Sequence, residues 1–172
     1  MLEVLTNILC PIIMISLGGY IIKKLTDTKI KIMTLKNVFM IGLYAILAAL
    51  IRNIDYNGIS TIITYLMNII IYKIIFKENI SKVIILTSLV MVITFLADMI
   101  CGIVLILFFT TKDIRSLWYL RILANSLTGI ICIIFIKIFR YKNIQKEINL
   151  KIDKISSYST LIFLFLTILV FT

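Results

Sequence analysis

The sequence predicts an all-α membrane protein, a single bundle of about six transmembrane helices, and three observations carry that expectation. Of 172 residues, 62% are hydrophobic, where ordinary soluble domains are nearer half apolar, and the mean hydropathy is +1.13. One proline and six glycines interrupt the apolar runs. The basic residues gather in alternate connections between those runs.

A helix needs about 20 residues to cross about 30 Å of hydrocarbon. Six segments qualify: 4–22, 35–52, 58–76, 80–109, 114–139 and 156–172. Together they make one domain over 1–172. The first carries Glu3 rather than a basic region at its amino end, which argues against a cleaved signal peptide. Pro11 lies inside it and is tolerated as a kink where neighbours satisfy the freed carbonyl. Asn7, Pro11, Met14 and Gly18 share one face, the pattern of a packing seam. The basic loop from Lys23 to Lys36 suits an anionic lipid surface.

In the second segment Gly42, Ala45 and Ala49 lie on one side, small residues that let a neighbouring helix approach. It ends in a polar turn, Arg52 to Gly58, where Arg52 and Asp55 make a surface pair worth little. The third segment sets Thr61, Tyr65, Asn68 and Tyr72 at steps of four, three and four. Asn68 and Tyr72 read as hydrogen-bonding glue between helices, while Tyr65 sits near the end away from the lysines.

The fourth segment holds a single acid, Asp98, on a face with Thr87, Thr94 and Cys101. In the fifth, Arg121, Asn125, Thr128, Gly129 and Cys132 again share one helical face. Charges within hydrocarbon are expensive and point to function or to pairing. Asp98 lies 13 residues before Thr111 and Arg121 lies 10 after it. Continuous helices rising about 1.5 Å per residue put the two within about 5 Å in depth. Two arrangements satisfy that count. In one they form an ion pair; in the other Arg121 reaches the interface and Asp98 is protonated or bonds Thr94.

Beyond Arg140, Ile144, Ile148, Ile152 and Ile155 form an apolar stripe among lysines, the pattern of a helix lying on anionic lipid. The sixth segment ends at Thr172 with no polar tail, and the expectation is a piece of a longer chain.

The net charge of +10 does not indicate nucleic acid, because of where it falls. Lys23, Lys24, Lys29, Lys31 and Lys36 share one connection; Lys73, Lys77 and Lys82 the next on that side; Lys137, Arg140, Lys142, Lys146, Lys151 and Lys154 the third. Only Arg52, Lys112, Arg115 and Arg121 remain opposite. The lysine-rich side is then cytoplasmic, with both termini outside in a multi-pass cell-membrane protein. Membrane lipids are its first partners.

Histidine is absent, which removes imidazole catalysis and histidine metal ligation. Cys10, Cys101 and Cys132 lack metal-ligand spacing and read as packing residues. No phosphate-binding loop occurs, so no cofactor is expected. Nothing in the chain makes a catalytic constellation.

The run from Tyr65 to Lys82, the long span with its acid at Asp98, and the Arg121 to Asn125 stretch together resemble the membrane sensor region of accessory-gene-regulator-type peptide-sensing histidine kinases, whose kinase part is a GHKL ATPase. The resemblance implies a homodimeric sensor of a small, often cyclic, extracellular peptide, with the kinase in a continuation beyond Thr172. A peptide pocket formed by segments three to five would be lined by Tyr65, Asp98, Trp118, Arg121 and Asn125, polar or aromatic groups at outer or middle depths. The chain is also similar in size and span number to the substrate-binding membrane subunit of energy-coupling-factor vitamin transporters. Those subunits keep both termini in the cytoplasm, opposite to the charge pattern here.

Overall fold

The computed structural model describes residues 2–26, 34–51, 59–110 and 117–141, and every regular element among them is a helix. They are α1 (Leu2–Thr26), α2 (Leu35–Ile51), α3 (Ile59–Phe76), α4 (Ile80–Ile106) and α5 (Trp118–Tyr141). Five of the six expected spans thus appear as helices. The sixth, 156–172, the isoleucine stripe at 144–155 and the polar turn at 52–58 lie outside the described residues. Three helices are long and apolar enough to cross a membrane, over Leu5–Thr26, Ile80–Ile106 and Trp118–Ile138. The apolar parts of α2 and α3, Leu35–Ile51 and Ser60–Phe76, are shorter.

The helices close into a ring in chain order. Each packs on the next, α5 returns to pack on α1, and a lighter contact joins α1 to α4 across the middle. Individual bonds fix the directions. Arg121 meets Asn7 and Asn125 meets Cys10, so α5 runs parallel to α1. Thr128 meets Asp98 and Cys101 meets the Ala124 carbonyl, so α4 and α5 are antiparallel.

The shared core lies toward the lysine-bearing ends of the helices and contains Ile21, Ile22, Tyr72, Val83 and Leu86, all almost fully buried. At its centre the Tyr72 hydroxyl donates to the Ile15 carbonyl at 3.1 Å and lies against Gly18, where a Cβ would collide with it. A glycine is required there by a close approach rather than by backbone conformation. On α2 the expected small-residue seam is shifted: Ala45 and Ala48 are buried, while Gly42 faces open space. The outer surface is apolar as well, with Phe39, Ile70, Ile103 and Ile134 exposed. Helices that are apolar all round suit hydrocarbon on one side and protein on the other.

The α3–α4 connection shows how polar groups end these helices. Lys77 takes a left-handed conformation, φ 55°, and its N–H bonds the Lys73 carbonyl at 3.0 Å, closing α3 as an αL cap. The Lys73 ammonium donates to the Glu78 carbonyl, and Lys82 pairs with Glu78 at 3.7 Å. Val83 N–H returns to the Asn79 carbonyl at 3.0 Å, so only three residues separate the start of α4 from the end of α3.

Candidate functional site

The centre of the ring is hollow in the half away from the lysines. A cavity of about 490 Å³ lies there, walled by all five helices. Cys10, Pro11 and Met14 of α1 form one side, with Tyr44 and Ala48 of α2 beside them. Ser60, Thr61, Thr64 and Asn68 come from α3, Met91 and Thr94 from α4, and Arg121, Ala124 and Asn125 from α5. The size suits one small molecule, since ligand pockets run from about 300 to 1,000 Å³.

Most polar side chains in this wall are tied to their own helices. Thr64 donates to the Ser60 carbonyl at 2.7 Å and Thr94 to the Val90 carbonyl at 3.0 Å. Asn125 divides its amide between the Arg121 carbonyl at 2.8 Å and Cys10 Sγ at 3.0 Å, which joins α5 to α1. Among the described residues two polar atoms are left over. Asn68 Oδ1 and Arg121 Nε are buried without a hydrogen-bond partner.

Arg121 is the chemically distinctive group. Its guanidinium donates from Nη1 to Asn7 Oδ1 at 3.3 Å, a long bond to a neutral acceptor. Among the described residues the ion pair found is Lys82–Glu78, remote from Arg121, and none of those lining the cavity is acidic. Because Arg stays protonated in proteins, the cavity wall carries a fixed positive charge.

The expected site residues divide unevenly. Arg121 and Asn125 line the cavity. Tyr65 does not: it is 2% exposed and its hydroxyl lies 2.5 Å from Ser88 Oγ on α4. Ser88 Oγ also lies 3.0 Å from the Ile84 carbonyl, and its hydrogen bond with Tyr65 clamps α3 to α4. Trp118 is exposed at the start of α5, edge-on to Tyr119 at 5.9 Å.

Asp98 is also outside the cavity, and the Asp98–Arg121 pair does not form. The carboxylate accepts from Thr128 Oγ1 at 2.5 Å on the exposed side of α4. The depth count went astray in its assumption of unbroken helices up to Thr111. α4 stops at Ile106 and α5 starts at Trp118, and the observed register sets Asp98 beside Thr128 and Cys101 beside Ala124. Arg121 therefore lies about seven residues, or roughly 10 Å, along the bundle from Asp98. The two polar stripes do meet, at Asp98 and Thr128, but Arg121 turns toward α1. Thr94, the other partner considered for Asp98, bonds Val90 and Met91 carbonyls instead.

The face of α1 that carries Asn7, Pro11 and Met14 is more than a packing seam, and the spacing of these residues is the signal in the sequence that this face turns inward. Pro11 and Met14 border the cavity and Asn7 holds Arg121. Asn68, read as glue, keeps a buried oxygen unpaired in the cavity wall. The three cysteines are buried, and no disulfide joins them. Among the described residues no cluster of His, Cys, Asp or Glu is built to hold a metal.

The fold and the site together define a class: a helical, membrane-like bundle around a central cavity with a cationic wall. Comparison with known proteins goes no further, since no family model, no curated protein and no solved structure matches the chain.

Proposed function

We propose that the chain is a multi-pass cell-membrane protein that binds a small extracellular ligand in its central cavity and serves as the ligand-detecting region of a signalling sensor. The observation that carries this reading is the cavity itself, partly open, lined by all five helices and provided with unpaired polar atoms in a wall that mixes hydroxyl and amide side chains with apolar surface. Such a combination is the usual form of a ligand site. The lysines at the ends of α1, α3 and α5 and at the start of α4 lie toward the opposite end, which by the positive-inside rule assigns the cavity to the outer half of the membrane.

The same orientation sets the start of α1 outside, as the sensor resemblance requires and contrary to the transporter-subunit arrangement. The peptide part of the resemblance receives narrower support. A cavity of about 490 Å³ admits a metabolite-sized molecule or the end of a peptide, and for that reason a vitamin-binding transporter subunit stands as the second reading.

The test is a thermal-stability screen of the purified full chain in detergent against small molecules, repeated with Ala48→Phe, which fills the cavity, and with Ala124→Leu as a milder filling. Ligands of the cavity raise the melting temperature of the wild-type chain and lose that effect in the filled variants. Compounds that stabilise all three proteins equally would place binding elsewhere and overturn the proposal. Retention of ligand in vesicles without uptake separates a sensor from a transporter subunit.

A further inference from the structure

We infer that the cavity is built for an oxyanion, and that its ligand presents a carboxylate or a chemically equivalent group to the guanidinium of Arg121. The inference rests on the reading of the cavity as a ligand site and adds the ligand's chemistry.

Four observations converge. Arg121 Nε is buried and unpartnered. The remaining bond of the guanidinium is a single 3.3 Å contact to the neutral Asn7 Oδ1. Among the described residues no acid lines the cavity, and Asp98, the acid of the neighbouring α4, is engaged by Thr128 outside it. A cation inside hydrocarbon without a counter-charge is expensive, and a protein that keeps one in a cavity keeps an electrostatic vacancy. Arg offers a rigid fork of N–H donors, and Nε together with Nη2, the edge away from the Asn7 contact at Nη1, is the side that carboxylates take with two parallel bonds.

The polar groups around it select further. Asn125 cannot serve the anion, because its amide is spent on the Arg121 carbonyl and Cys10. Across the cavity Asn68 Oδ1 has no hydrogen-bond partner, while the Asn68 side chain also meets Tyr44 of α2. Between them lie apolar surfaces from Met14, Ala48 and Met91. The occupant that satisfies this wall is a small amphiphile with an oxyanion at one end, an apolar body, and a hydrogen-bond donor toward α3. The carboxylate can belong to a free organic acid or to the terminus of a short apolar peptide.

Two measurements on the full chain in detergent decide the matter. The first needs no ligand. An electrostatic vacancy costs stability, so Arg121→Met, which keeps length and loses charge, raises the melting temperature of the unliganded protein by a few degrees. A fall, the result expected if a carboxylate of the chain already neutralises Arg121, overturns the inference.

The second uses hexanoate and an apolar tripeptide, each compared with its amide, with the fluorescence of the chain's one tryptophan, a single turn from Arg121, as an added readout. At least one acid stabilises the wild-type chain while its amide does not. Arg121→Lys, which retains charge without the fork, weakens the effect about tenfold or more, and Arg121→Met abolishes it. Which acid acts distinguishes a metabolite from a peptide terminus. Equal action of acids and amides, or persistence in Arg121→Met, overturns the inference. If neutral compounds bind and the cavity-filling variants block them, the ligand-site reading survives and only the oxyanion assignment falls.

Discussion

Asp98 and Thr128 show how one polar side chain settles another in an apolar setting. The 2.5 Å bond between them satisfies a carboxylate on a helix otherwise lacking acids, and Thr128 itself is fully buried. Thr128→Val keeps the shape and removes the donor, leaving the carboxylate unsatisfied at a cost of about 1 to 3 kcal/mol. The loss is measured as unfolding free energy in detergent, and in an Asp98→Leu background the same substitution should cost almost nothing. Asp98 and Arg121 have separate partners and sit about two turns apart. Asp98→Asn and Arg121→Gln should therefore combine additively within about 0.5 kcal/mol. Coupling above that value would mean that the two charges sense each other after all.

At the scale of helices, the bundle is held by close approaches and well-made ends. Gly18 admits the Tyr72 hydroxyl to the Ile15 carbonyl, locking α1 to α3. Gly18→Ala forces that hydroxyl away and should destabilise by about 1 to 3 kcal/mol, the usual cost of overpacking. Tyr72→Phe removes the colliding oxygen, so Gly18→Ala should be milder in that background; an undiminished penalty would show that the cost lies in the backbone. At the other end of α3, Lys77 holds a left-handed conformation that costs a side-chain-bearing residue about 1 kcal/mol. Lys77→Gly should recover much of it, raising stability with no change in fold, as urea or SDS titration would reveal.

For the whole molecule the informative property is polarity along the bundle axis. Lysines collect at one end and the cavity at the other. In the proposed orientation, a cysteine-free background carrying Thr61→Cys is labelled by an impermeant thiol reagent from outside the cell, and one carrying Lys77→Cys only after the membrane is opened. Labelling of position 77 from outside would reverse the orientation and expose the cavity to the cytoplasm. Such a ring is also suited to transmit occupancy, since a ligand touching five helices shifts any equilibrium between two packings by its difference in affinity for them.

The sequence by itself determined what repeats along one chain: helical segments, an apolar exterior, the end that carries lysines, and the inward faces of α1 and α5. These follow from hydropathy and a 3.6-residue period, which are local. Five helices arose where apolar runs predicted them, and Arg121 and Asn125 were correctly placed on one inward face. Only the tertiary structure decided which face meets which. The register of α4 against α5 depends on where the helices end, and an error of a few residues there moves a side chain by a turn. That is why Asp98 went to Thr128 rather than Arg121, why Tyr65 became a clamp to Ser88, and why Asn7 became the partner of Arg121. The cavity was equally beyond local reading, because it is space left when five helices close a ring, and no single helix contains it.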